Sequence, residues 1–164
     1  MPRKYFRRTV KTKAKWSHEN KGCLIDNTTS VLQNGLYQGG SNIIPATTTQ
    51  GTRTVGNITV TVPVPQTLAA EIYWAIVYVP QGTTASPLFA TTGSVEGSLY
   101  EPNQYVMASG ISDNTAGPIR FHSRMKRTLH SGDFISLIIG STSQGSASVG
   151  GSIRALVSYS VKYN

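Results

Sequence analysis

Arg3, Lys4, Arg7, Arg8, Lys11, Lys13 and Lys15 crowd the first fifteen residues of the chain. With Lys21 they make up more than half of its Lys and Arg, and Glu19 is the only acid among them. Cations in such a run neutralise phosphates and release counterions without reading a sequence, and that binding weakens with salt. Most of the formal net charge of +8 therefore sits at one end of an otherwise nearly neutral chain. A basic arm of this kind meets nucleic acid, an anionic surface or an import receptor. Few apolar residues interrupt it, and Thr9, Val10 and Thr12 lower helix propensity, so an amphipathic membrane helix is disfavoured. Tyr5, Phe6 and Trp16 lie beside the bases, and aromatic faces stack unpaired bases at about 1–3 kcal/mol each. Trp16 is expected in the core or at a subunit contact instead.

Catalytic chemistry finds little to build on. His18, His122 and His130 lack metal-ligand spacing. His130 with Asp133 and a nearby serine imitates a triad, but Ser and Thr are so frequent that chance accounts for it. The acids are scattered, with no Asp-x-Asp cluster for calcium, and Glu101 and Asp133 read as turn or loop residues. Cys23 is the only cysteine, which excludes a disulfide framework and a cysteine zinc site. Neither enzymatic activity nor a metal or cofactor is expected.

The elements that must position these residues read as strands. The chain has 164 residues, 38% hydrophobic and 13% charged, with 16 Gly. That is the size of one domain and the composition of short strands and turns. The longest apolar run, Ile72 to Val79, is too short to span a membrane as a helix, so membrane insertion is not expected. The basic start leads into Trp16-Ser17-His18-Glu19 rather than an apolar core, so no signal peptide is expected.

Alternation of apolar and polar residues predicts eight strands, lettered B to I in chain order. They are Val10–Ser17, Gly22–Gln33, Asn57–Val64, Glu71–Val79, Gln104–Ser109, Ile119–Met125, Phe134–Ile139 and Ile153–Tyr163. Strand E is apolar on both faces, the mark of a central strand. Residues 34–52 and 81–103 read as long connections. Eight strands with two long loops predict an all-β fold: a single eight-stranded jelly roll, a two-sheet antiparallel sandwich with a basic N-terminal arm. Residues 1–15 form the arm and 16–164 the shell domain.

In that topology B, I, D and G share one sheet, and C, H, E and F share the other. Parity then gathers the bases onto one outer face: Lys11, Lys13 and Lys15 from B; Arg154 and Lys162 from I; Arg53 from D; Arg120, Arg124 and Lys126 from G. His122, Asn57, Thr59 and Thr61 share that face. The opposite sheet shows nothing comparable.

Segments such as Trp74-Ala75-Ile76-Val77-Tyr78-Val79-Pro80-Gln81-Gly82-Thr83 carry a family resemblance. So do Gly51-Thr52-Arg53, Ser98-Leu99-Tyr100-Glu101-Pro102-Asn103-Gln104 and Ser123-Arg124. Arg127-Thr128-Leu129 leading to Ser131-Gly132-Asp133 continues the series. In this order and spacing, from about Lys13 onward, the chain resembles capsid proteins of circovirus-like viruses, which have small circular single-stranded DNA genomes and encode a replication protein. The resemblance implies a jelly roll that assembles into a T=1 icosahedral shell of roughly sixty copies around single-stranded DNA. It also implies an inward-pointing arm that engages a host nuclear import receptor, hence location in the virion and, during assembly, in the host nucleus. The arm here is shorter than in circoviruses proper and mixes Lys with Arg, and a basic sheet face would add to its charge.

The nucleic-acid-binding candidates are thus Arg3, Lys4, Arg7, Arg8, Lys11, Lys13, Lys15, Arg120, Arg124, Lys126 and Arg154. Tyr37, Ile43, Ile44, Leu88, Phe89, Leu99 and Tyr100 are the subunit-contact candidates in the two long connections. They serve equally well to cover the chain's own core. Two other functions fit a jelly roll: a lectin-like binding module, and a single-stranded nucleic-acid-binding protein that closes no shell. Phosphate neutralisation alone does not separate DNA from RNA.

Overall fold

In the computed structural model, residues 15–26, 36–63, 71–85, 104–113, 117–142 and 152–163 are described. Among them there is no helix, and nine strands form. In chain order they are β1 (Ser17–Asp26), β2 (Leu36–Ile44), β3 (Arg53–Val62), β4 (Glu71–Val79), β5 (Tyr105–Asp113), β6 (Ile119–Ser123), β7 (Arg127–Leu129), β8 (Phe134–Thr142) and β9 (Ser152–Tyr163).

All pairings are antiparallel, and the strand order is β5-β4-β8-β2-β1-β9-β3-β6, with β7 also on β3. The order divides into two halves. One is β1-β9-β3-β6 and the other β2-β8-β4-β5. A single residue pair, Asp26 with Gly40, joins them. These are the B-I-D-G and C-H-E-F sheets of a jelly roll, with β1 as B, β2 as C, β8 as H and β9 as I.

The two sheets close over one core. Val55, Ile58, Val60 and Val62 of β3, Phe121 of β6 and Val157 and Val161 of β9 face it from the first sheet. Ile72, Trp74 and Ile76 of β4, Ile135 and Leu137 of β8 and Met107 of β5 face it from the second. Trp74 and Phe121 meet across the gap with ring centroids 5.1 Å apart, a contact type adding about 0.5–1.5 kcal/mol beyond the area it buries. The Trp74 indole keeps its polar end satisfied by donating to Ser112 Oγ at 3.1 Å.

Strands B and C differ most from the sequence reading. Strand B begins at Ser17 and runs through Gly22 to Asp26, so it joins the end of one expected strand to the start of the next. Its anchor is β9, with ten consecutive residue pairs from Ser17–Val161 to Asp26–Ser152. Strand C is Leu36–Ile44, inside a stretch expected to be a connection. Gly39-Gly40 disguises it in sequence, yet its ladder with β8 is nearly continuous. Ile43 and Ile44 consequently end a strand and are completely buried in the core. They are not loop residues available to another subunit. Tyr37 lies within β2, while Leu88, Phe89, Leu99 and Tyr100 fall outside the described residues.

Asp133 ties the sandwich together at one end. Its carboxylate accepts from Tyr78 Oη (2.8 Å), the Gln81 amide (3.0 Å) and the His130 amide (2.8 Å). Burial raises the pKa of this carboxyl, and the three hydrogen bonds outweigh burial, leaving it below its ordinary value. Burial and the same carboxylate push the Tyr78 phenol up to about 12. Arg127 lies over the Tyr78 and Tyr105 rings, 4.5 and 5.0 Å from their centroids. The imitation triad dissolves here: His130 supplies its backbone amide to Asp133, and the carboxylate is committed to holding a turn.

Candidate nucleic-acid interface

Directly paired residues of an antiparallel sheet share a face. The registers of the first sheet therefore lay its outer surface out in rows. One row is Arg120, Thr61, Leu156 and Gly22, across β6, β3, β9 and β1. The next is His122, Thr59, Ser158 and Asn20. Beyond it come Gly56, Ser160 and His18, then Thr128, Thr54 and Lys162. Arg154 and Leu24 pair at the opposite end. Rows lie about 7 Å apart along the strands, and four strands span about 15 Å.

Short polar side chains fasten the rows across the strands. Thr59 Oγ1 lies 3.0 Å from His122 Nδ1, and Ser158 Oγ donates to Asn20 Oδ1 at 2.6 Å. Ser160 Oγ is 3.2 Å from His18 Nδ1. Such pairs tie the strands together across the middle of the face. The cations stand around them: Arg120 and Arg154 towards one end, Lys126 and Lys162 towards the other, with Arg124 in the segment that follows β6. Arg120, Arg124, Lys126 and Arg154 are exposed, and Lys162 is half-buried. No acid is among the described side chains of these rows.

The chain enters this face at the Lys126 and Lys162 end. Lys15 and Trp16 lead into β1 beside the end of β9, and both are exposed. Trp16 is therefore not a core residue: it is 42% exposed on the outer face, with Lys126 Nζ 5.3 Å from its ring centroid. Of the remaining arm candidates, Arg3, Lys4, Arg7, Arg8, Lys11 and Lys13 lie outside the described residues.

Two cations turn away from the face. Arg53, expected to point outward, is 7% exposed and donates through Nη2 to the Pro45 carbonyl. The cause is a bulge between Gly56 and Thr59. One extra residue reverses the parity of everything before it, so Thr54 and Gly56 face out while Arg53 and Val55 face in. Lys21 pairs with Val157 on the inner side of β1. Burial lowers its pKa; Cys23 and Glu19 counter that shift, and Arg53 adds to it.

Asn57, within the bulge, adopts φ of 51°. Asn tolerates this left-handed region better than most residues. Gly56 beside it leaves room for Lys126: a Cβ there would stand 2.8 Å from Lys126 Cγ. Sequence alternation located Lys126, whereas the bulge and the glycine that steer it became visible only with the β3–β9 register.

No family model and no curated protein matches the chain. Among solved structures it aligns along its whole length with a chain of empty turnip yellow mosaic virus. That alignment has 12% identity, covers 88% of that chain and gives a TM-score of 0.46. Infectious bursal disease virus, Gt strain, aligns at 11% identity over 99% of this chain and 37% of its own, with a TM-score of 0.39. The VP2 subviral particle of infectious bursal disease virus aligns at 14% identity over 98% and 38%, with a TM-score of 0.36. The chain thus spans little more than a third of the two bursal disease virus chains. At these levels of likeness the jelly-roll assignment rests on the chain's own strand order.

Proposed function

We propose that this chain is a viral capsid protein that assembles with copies of itself into a shell and holds single-stranded nucleic acid against the outer face of β1-β9-β3-β6. The observation that carries this reading is the union of that face with the arm. Arg120, Lys126, Arg154 and Lys162 surround a hydrogen-bonded polar centre on one face, and Lys15, at the end of the basic run, leads into β1 there. A polyanion bound for its charge rather than its sequence meets such a surface.

The finer features follow the family resemblance: a T=1 shell of roughly sixty copies, circular single-stranded DNA as cargo, and recognition of the arm by a nuclear import receptor. The protein then resides in the virion and passes through the host nucleus during assembly. Its role is structural, not enzymatic. Residues 1–15 act as the arm and 16–164 as the shell domain.

Negative-stain electron microscopy of the purified full chain tests this, together with the 260/280 nm absorbance ratio and nuclease digestion. Uniform round particles are expected, with cargo protected from nuclease until the particles are opened and then sensitive to DNase. Small oligomers free of nucleic acid at every salt concentration overturn the reading. Nucleic-acid-bound species that never close a shell convert it to the single-strand-binding alternative. Deleting residues 1–15 is expected to spare the fold and reduce the packaged nucleic acid.

A further inference from the structure

We infer that Trp16, His18, Asn57, Lys126 and Ser160 form a pocket that receives one unpaired nucleobase of the bound strand, stacked on Trp16. This inference rests on the nucleic-acid reading above and adds to it a discrete site on an otherwise diffuse charged face.

These five residues line a cleft of about 240 Å³ on the outer face. Sites for drug-sized ligands occupy roughly 300–1,000 Å³, so this one suits a single ring system. Its parts match the parts of a nucleotide. Trp16 offers an exposed aromatic face, and base–aromatic stacking tolerates any base because every base has a π face. Asn57 carries an amide with both donor and acceptor atoms, able to meet a base edge. Lys126 places its ammonium over one face of the same ring, which leaves the other face for the base and puts a cation within reach of the phosphate of a stacked nucleotide. His18, held by Ser160 through Nδ1, presents the cleft with a ring whose other nitrogen is Nε2.

The cleft is also built rather than incidental. The bulge turns Asn57 into the left-handed region and onto this side of β3. Gly56 lets Lys126 cross the strand and reach Trp16. Removing either feature takes one wall away. Phosphate neutralisation explains the scattered arginines without any of this. It does not explain an exposed tryptophan fixed between a lysine and a histidine.

The test compares two short single-stranded oligodeoxynucleotides with equal numbers of phosphates, one carrying thymine bases and one abasic throughout. Each strand, carrying an end-attached dye, is titrated at low salt with the full chain; binding is followed by the anisotropy of the dye, and indole fluorescence of the wild type is recorded alongside. Trp74 is buried and packed against Phe121, so quenching by base in the wild type reports on Trp16. The base-bearing strand is expected to bind about 5- to 150-fold more tightly than the abasic one, the range for one stacked base. Trp16→Ala is expected to abolish that ratio while leaving abasic binding unchanged. Gly56→Ala, which displaces Lys126 without altering charge, is expected to reduce it. Equal affinity for the two strands, or a ratio that survives Trp16→Ala, overturns the pocket and leaves the charged face standing. If neither strand binds at low salt, the parent reading fails with it.

Discussion

The outer faces of the two sheets are opposites. Over β4 and β8 the outward residues Ala75, Val77, Val79 and Ile138 are apolar and completely buried, and Ala85, Val106 and Phe134 pack against them. Over β9, β3 and β6 the outward residues are Ser, Thr, His, Arg and Lys, with Gly56 and the exposed Leu156 among them. The second sheet is therefore apolar on both sides along β4 and β8, and the first mainly on its inner side. A sheet covered on both faces has protein on both faces; a sheet with a basic outer face keeps that face for water or a polyanion. The difference assigns each sheet its neighbour. The second packs against protein, and the first is left open to solvent and charge.

A charge placed on each face breaks the comparison most sharply. Val77→Asp puts an unpaired carboxylate in an apolar layer and is expected to cost roughly 3–5 kcal/mol or prevent folding. Ser158→Asp, in the neutral middle of the basic face, is expected to change stability by less than about 1 kcal/mol and to weaken nucleic-acid binding. Urea denaturation and oligonucleotide titration read the two effects. Comparable destabilisation by both variants would erase the distinction.

Asp133 comes next in size, because it serves both sheets' framework rather than either outer face. Asp133→Asn removes the charge from three hydrogen bonds and is expected to cost roughly 2–4 kcal/mol. The pH dependence has a definite sign. The folded carboxyl has a lowered pKa, so its contribution is complete above the unfolded value of about 3.9. That contribution is lost as pH falls through the folded pKa. The urea midpoint of the wild type should therefore drop on acidification below about pH 4, and the drop should shrink in Asp133→Asn.

Smaller still is the effect of the outward cations on the fold, although their effect on binding is large. Changing Arg120, Arg124 and Lys126 together to Ser should leave the thermal midpoint nearly unchanged. It should reduce the slope of log binding constant against log salt by about 2, at about 0.7 per phosphate contact with a single strand. An unchanged slope would remove these residues from the interface. The smallest effect is expected from Arg53→Met. This arginine faces the core, so oligonucleotide affinity should not change. Stability should change by about 1 kcal/mol or less, since buried charges contribute little net stability.

Much of this contrast was legible in the sequence. β4 declared itself as a central strand because its residues are apolar on both faces. β9 declared itself by strict alternation over its length. Those two runs, with the Phe134 and Ile119 strands, were enough to place Arg120 and Arg154 on one surface. Arg53 was misplaced because alternation assumes an uninterrupted ladder, and a bulge leaves no mark on hydrophobic pattern beyond Gly56-Asn57 itself. β2 was missed because glycines in its middle resemble a loop, and its strand character comes from β8. β7 consists of three residues that only their pairing with β3 makes a strand. Residue type alone points Trp16 to the core or a subunit contact, and its 42% exposure removes the core. Its contact with Lys126 joins residues remote in sequence.

The central claim is that nucleic acid lies on the β1-β9-β3-β6 face. Ultraviolet cross-linking of the nucleic-acid-loaded full chain, followed by mass spectrometry of the modified peptides, tests it most directly. The account predicts cross-links at residues 15–22, 119–127 and 154–163. Cross-links concentrated in residues 71–79 and 134–140 would contradict it, because those strands carry the apolar face that belongs to protein.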